Sequence, residues 1–174
     1  MWRRGGRDRW RREFPPFSSC APLCMAKMQL PEDFRDFFRF LNDSGVEYLL
    51  IGGWAVGFHG YPRATADMDV WVACDPENAK RIVQALKLFG FTHDEATESL
   101  FTRPGFVVRM GLPPMRIELL TRISGVDFAD CRSRCETMIE KGISIPVIAL
   151  PDLIANKKAS ARPKDLADVD ALEN

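Results

Sequence analysis

Apolar positions along the chain switch repeatedly between helical and extended spacing. After Pro31, the segment EDFRDFFRFLNDSG places Phe34, Phe37, Phe38 and Leu41 on one helical stripe. Glu32 and Asp33 suit the positive end of that helix, and Ser44-Gly45 marks its stop. VEYLLI, residues 46–51, predicts a strand that runs into Gly52-Gly53 and the short apolar segment WAVGFHG, a strand, tight turn and short helix. Residues 67–73, DMDVWVA, alternate: Asp67 and Asp69 project to one side, Met68, Val70 and Val72 to the other. Asp75-Pro76 opens a helix over 76–89 whose inward face is Ala79, Ile82, Val83, Leu86 and Phe89, and Gly90 ends it.

The second half is less regular. Residues 91–104 predict a strand edge and a loop, FVVRM at 106–110 a strand, and MRIELLT at 115–121 a firmer one, with Arg116, Glu118 and Leu120 opposite Ile117 and Leu119. The stretch 127–140 reads as helical, whereas ISIPVI at 143–148 reads as an extended edge because proline interrupts it. Pro151 starts a helix through Lys158, Pro163 limits it, and 164–173 forms another. The expectation is an α/β (α+β) chain with a small C-terminal helical cap, folded as one domain over residues 31–174.

Composition narrows this further. With 174 residues, 46% hydrophobic and 28% charged, the chain is neither disordered, collagenous nor coiled coil. No run approaches the roughly 20 apolar residues of a membrane span, so no membrane partner is expected. The zero net charge conceals +5 in residues 1–27 and −5 in the remainder. Residues 1–30 accordingly read as a basic, flexible extension without the apolar core of a signal peptide, with Met25 or Met28 as alternative first residues. The acidic remainder argues against broad duplex binding, while a local basic groove for RNA stays open. The five cysteines include two CxxxC pairs, Cys20 with Cys24 and Cys131 with Cys135, which lack zinc-ligand spacing and read as reduced thiols of a cytoplasmic protein.

The chemistry concentrates in IGGWAVGFHGYPRATADMDVWV, residues 51–72, and in the later RIELLT. Two aspartates two apart on a strand leave one face together, and a carboxylate on an adjacent strand can reach the same ions. Mg2+ takes hard oxygen ligands at about 2.1 Å and accepts one or two carboxylates alongside phosphate oxygens and water. Two such ions can hold the attacking and leaving oxygens of an in-line displacement. Gly52 and Gly53 let backbone amides approach phosphate without an intervening side chain. Each element also has a plain structural reading: a tight turn, a solvated strand, and a charged residue facing solvent from an edge.

In this order, with thirteen residues between Gly53 and Asp67, the segments resemble the nucleotidyltransferase superfamily. That family combines a Gly-Gly or Gly-Ser turn, an Asp-x-Asp pair on the next strand and a third carboxylate on a later one, here Glu118 where relatives commonly carry Asp. The resemblance implies a mixed sheet flanked by helices. It also implies Asp67, Asp69 and Glu118 as catalytic metal ligands, Mg2+ as cofactor and a nucleoside triphosphate as substrate. Arg63 and Thr65 are implied beside the phosphate or acceptor entrance, although Arg63 could equally pair with a structural acid. His59 is read as fixing the glycine motif, and Trp54 as a packed aromatic. The tail LPDLIANKKASARPKDLADVDALE is similar to AbiEii-like toxin nucleotidyltransferases of toxin-antitoxin systems. It carries over Lys158, with Lys157 the adjacent alternative, as the lysine closing the cleft, followed by Arg162, Lys164, Asp165 and Asp168. This branch implies tRNA or another RNA as acceptor and an antitoxin as partner. A small-molecule antibiotic nucleotidyltransferase and an inactive nucleotide-binding or partner protein on the same scaffold are the alternatives.

Overall fold

The computed structural model describes residues 30–91, 96–111 and 116–174. The basic extension, Cys20, Cys24 and Met115 at the head of the RIELLT strand therefore lie outside the described residues, apart from Leu30, which is buried. The elements run α1 Glu32–Asp43, β1 Tyr48–Leu50, α2 Gly52–Phe58, β2 Asp67–Val72, α3 Pro76–Phe89, α4 Glu98–Phe101 and β3 Val107–Met110. They continue with β4 Arg116–Leu120, α5 Phe128–Ser133, β5 Glu136–Glu140, β6 Ile143–Val147, α6 Leu150–Ser160 and α7 Pro163–Glu173. The strands form one mixed sheet in the order β3-β4-β2-β1-β6-β5, with β2–β4 and β1–β6 parallel and the other pairs antiparallel. Among the described residues no helix is long and apolar enough to cross a membrane.

Register explains the layers. Tyr48 and Leu50 stand beside Val72 and Val70, Met68 and Val70 beside Ile117 and Leu119, and Val147 beside Leu50, which gives one continuous apolar face. The α1 stripe covers it: Phe38 stacks on Tyr48 with ring centres 5.6 Å apart, and Phe37 meets Phe89 of α3 edge-on at 5.1 Å. Phe34, Phe37, Phe38 and Leu41 are all buried, each contributing about 1.5–3 kcal/mol relative to exposure. The opposite face carries Asp67, Asp69 and Trp71 on β2 and Arg116, Glu118 and Leu120 on β4. Phe128 of α5 packs edge-on against Trp71 at 5.1 Å, covering one end of that face.

Three sequence expectations are corrected. Residues 98–101 form a helical turn within the stretch 91–104, where a strand edge and a loop were expected. The helix expected over 127–140 stops at Ser133, and Glu136–Glu140 is a strand. Asp127 caps α5 by accepting from the Ala129 and Asp130 amides, and Lys141-Gly142, at φ 48° and 82°, then makes the tight turn that folds β5 onto β6. Consequently β6 is not an edge: it lies between β5 and β1. Pro146 is tolerated there because it shares the parity of Ser144 and Ile148. The Ser144 carbonyl accepts from Asn42 and the Ile148 amide donates to Leu50, both pointing away from β5.

Asn78 belongs to the packing, although its polarity hides it among the apolar positions of α3. Its Oδ1 accepts from the Glu47 amide at 2.8 Å, and its Nδ2 donates to the carbonyls of Glu47 and Ala73 at 3.0 and 2.9 Å. Because Asn78 is 1% exposed, truncation leaves buried backbone groups unpaired. Asn78→Ala is expected to lower unfolding free energy by about 2–3 kcal/mol, read as a shifted urea midpoint at constant slope.

Candidate functional site

The parallel pairing of β2 with β4 sets Asp67 opposite Arg116 and Asp69 opposite Glu118, so three carboxylates and one guanidinium share a sheet face. Arg109 joins them from β3, opposite Glu118. Arg116 Nη2 donates to Asp67 Oδ2 at 2.8 Å while its Nε lies 3.2 Å from Glu118 Oε1. Arg109 Nε donates to the same Glu118 oxygen at 2.9 Å. Asp67 Oδ1 is buried and has no hydrogen-bond partner.

The glycines abut these acids. Gly52 has φ +66°, which favours glycine, and a Cβ there would fall 2.0 Å from Asp69 Oδ2. A Cβ on Gly53 would fall 2.6 Å from Thr65 Oγ1 and 3.2 Å from Arg63 Nη1. The start of α2 thus lies directly on Asp69 and Thr65, and Thr65 also donates to the Asp67 carbonyl at 3.2 Å. His59 caps the far end of α2, with Nε2 2.8 Å from the Ile148 carbonyl, and Trp54 meets Phe34 edge-on.

Asp69 carries the electrostatic strain. Burial, then the charges of Glu118 and Asp67, push its carboxyl up to about 6, and Arg162 and Lys157 only partly oppose them. Those two cations belong to a second cluster that joins the C-terminal cap to the loop before β2. Lys157 Nζ donates to Asp165 at 3.0 Å and Asp168 at 2.7 Å, Arg162 to Asp165 at 2.6 Å, and Arg63 grips Asp168 through Nε and Nη2 at 2.6 and 2.8 Å. Burial alone would raise the Asp168 carboxyl, but the hydrogen bonds from Arg63 and Lys157 hold it below its ordinary range.

Arg63 therefore bonds a structural acid while its third nitrogen faces Gly53. Lys158 is not brought into this grouping: it is half exposed on α6 and pairs with Glu173 at 2.6 Å. The buried lysine is Lys157, four residues after buried Leu153 and on its helix face. Lys164 is exposed at the start of α7.

Among the described residues, no group of three His, Cys, Asp or Glu side chains is disposed to hold a metal ion. Arg116 lies between Asp67 and Glu118 instead. The donors nevertheless fit a two-carboxylate Mg2+ site: Asp67 and Asp69 supply hard oxygens, Asp67 Oδ1 is buried without a partner, and Gly52 carries no side chain that would push Asp69 out of place.

No family model and no curated protein sequence matches the chain. Its structure is similar to that of a candidate nucleotidyltransferase from Thermotoga maritima, with a TM-score of 0.53 at 14% identity over 85% of this chain and 96% of that one. The fold is nucleotidyltransferase-like. Further structural matches are an antigenic nucleotidyltransferase-like protein from Paracoccidioides brasiliensis (TM-score 0.49, 17% identity, 79% of this chain and 72% of that one) and a lincomycin-bound lincosamide antibiotic adenylyltransferase (0.49, 12%, 84% and 98%). At these identities the likeness extends to the nucleotidyltransferase-like fold and to no particular branch.

Two stability measurements separate the acids. Asp69 binds its proton more tightly folded than unfolded, so wild-type stability falls as pH rises from about 4 through about 6. Asp69→Asn is expected to be more stable than wild type above pH 6 by on the order of 2–3 kcal/mol, with the gap closing below pH 4, in urea titrations across that range. Asp168→Asn has the opposite sign, because it removes the carboxylate of Arg63 and leaves buried Lys157 with Asp165 alone; a loss of about 3 kcal/mol at neutral pH is expected in the same assay.

Proposed function

We propose that this chain is a Mg2+-dependent nucleotidyltransferase that takes a nucleoside triphosphate, joins the nucleoside monophosphate to a hydroxyl and releases pyrophosphate. The observation that carries this reading is the placement of Asp67, Asp69 and Glu118 on one face of neighbouring strands, against the Gly52-Gly53 start of α2, in a nucleotidyltransferase-like fold. Mg2+ held by Asp67 and Asp69 would supply Lewis-acid stabilisation of the phosphoryl oxygens and leaving group. The absence of side chains at Gly52 and Gly53 lets Asp69 and Thr65 pack directly against the start of α2, which brings its backbone amides and the Thr65 hydroxyl beside the carboxylates that would hold the metal–triphosphate. Arg63 orients the loop before β2 through Asp168 and presents its remaining nitrogen toward the same edge. Lys157, whose charge reaches Asp69, takes the electrostatic part that the family resemblance assigned to Lys158. Glu118, directly opposite Asp69, receives the proton of the incoming hydroxyl.

For the acceptor, we favour an RNA end, tRNA first among the candidates. The support is Arg103 and Arg122, which are exposed and make no ion pair among the described residues, although the chain after residue 27 is net acidic. A second reading, nucleotide binding without transfer, draws on the Arg116–Asp67 pair and on the lack of a three-acid metal group among the described residues.

The deciding experiment incubates the protein with each labelled nucleoside triphosphate, Mg2+ and total cellular RNA, and measures triphosphate binding in parallel. Asp67→Asn and Asp69→Asn are expected to cut incorporation at least about a hundredfold with the fold intact. Glu118→Gln is expected to lower turnover more than triphosphate affinity. Equal incorporation by wild type and both aspartate variants rejects the assigned chemistry, and triphosphate binding with no incorporation by any protein selects the second reading.

A further inference from the structure

Most cations around the candidate site have acids of their own. Lys157, Arg162 and Arg63 are bonded to Asp165 and Asp168, which lie on α7 away from the β2–β4 face. Arg116 differs: the carboxylates it pairs with are Asp67 and Glu118, two of the three acids proposed to serve the metal and the acceptor. Its guanidinium spans both, in register opposite Asp67, and is about one-third exposed. Arg109 pairs with Glu118 and, among the described residues, with no other acid; it is 61% exposed and peripheral to Asp67.

We infer that Arg116 is a resident counter-ion of the site, displaced from Asp67 when a divalent ion enters and transferred to the triphosphate oxygens, so that metal and triphosphate bind cooperatively. This rests on the metal-site reading above and adds a selection to it. Three acids on one face repel each other, and the +1 guanidinium paired with Asp67 and Glu118 relieves that repulsion. A free divalent ion must evict that guanidinium from Asp67 and offers it no new partner. A metal–triphosphate complex brings the replacement partner, because a planar guanidinium matches phosphate oxygens two at a time. The cooperativity is a coupling free energy between two ligands, and removing the competitor must both tighten free-metal binding and reduce the coupling.

The test uses Mn2+ as the probe, its free concentration read by electron paramagnetic resonance with nucleotide-free, full-length protein. Arg116→Gln is expected to bind Mn2+ about tenfold more tightly than wild type, and a non-hydrolysable triphosphate analogue is expected to raise wild-type Mn2+ affinity by a factor that shrinks about tenfold in the variant. Arg116→Met, which keeps the aliphatic stem, provides a second variant with the same expectation, and circular dichroism checks the fold of each. Arg109→Gln is expected to change Mn2+ affinity less than twofold. If Asp67→Asn abolishes Mn2+ binding while both Arg116 variants bind it as wild type does, the counter-ion role is overturned and the metal site stands. If no protein shows Mn2+ binding that Asp67→Asn removes, both readings fall.

Discussion

Like charge brought into register on the β2–β4 pair is the constraint around which the functional half of the molecule is arranged. Parallel pairing puts Asp69 directly beside Glu118, with Asp67 two residues away on the same face, and Asp69 lies directly against the glycine start of α2. Left alone, such a face would oppose folding. Two kinds of cation answer it. Arg116 and Arg109 reach in from the neighbouring strands and contact the acids, whereas Lys157 and Arg162 act on Asp69 through space from the cap. The first kind pairs with the acids of the face itself, whereas the second is held by buried Asp165 and Asp168.

The division of labour between the sheet faces follows from the same pairing. The apolar face needs continuity, and receives it from Met68, Val70, Ile117 and Leu119 under the aromatic stripe of α1. The other face is closed at Trp71 by Phe128 and left polar at Asp67 and Asp69, where the glycines make room for Asp69 and Thr65 against the start of α2. Packing stability and site chemistry thus occupy opposite sides of β2, one residue out of phase.

That phase is what made much of the molecule legible in the sequence. Strict alternation in DMDVWV separates Asp67 and Asp69 from the core, and the Phe34–Leu41 stripe identifies the covering helix. Other features depend on partners distant in the chain. Alternation puts Arg116 and Glu118 on one side of their strand, but only the register with β2 reveals that Arg116 faces Asp67. Glu136–Glu140 has no helix-breaking residue inside it, and its strand identity comes from pairing with β6, signalled locally only by Lys141-Gly142. Asn78 reads as a surface position until the Glu47 and Ala73 backbone groups that it satisfies are in place. Between Lys157 and Lys158, helix phase relative to Leu153 decides which is buried, and the sequence carried that clue.

The ion cluster of the cap also sets an order of events during biosynthesis. Gly52, Thr65 and Asp69 come together within a short stretch of chain, but Arg63 finds Asp168 across 105 positions. A nascent chain that has not yet released residue 168 from the ribosome holds the glycine turn and both aspartates with Arg63 unneutralised and Lys157 without one of its acids. Long-range closures of this kind are the slow ones. The ground-state arrangement around Asp69 is therefore completed only after the sheet is translated, which keeps unfinished chains from presenting a finished site.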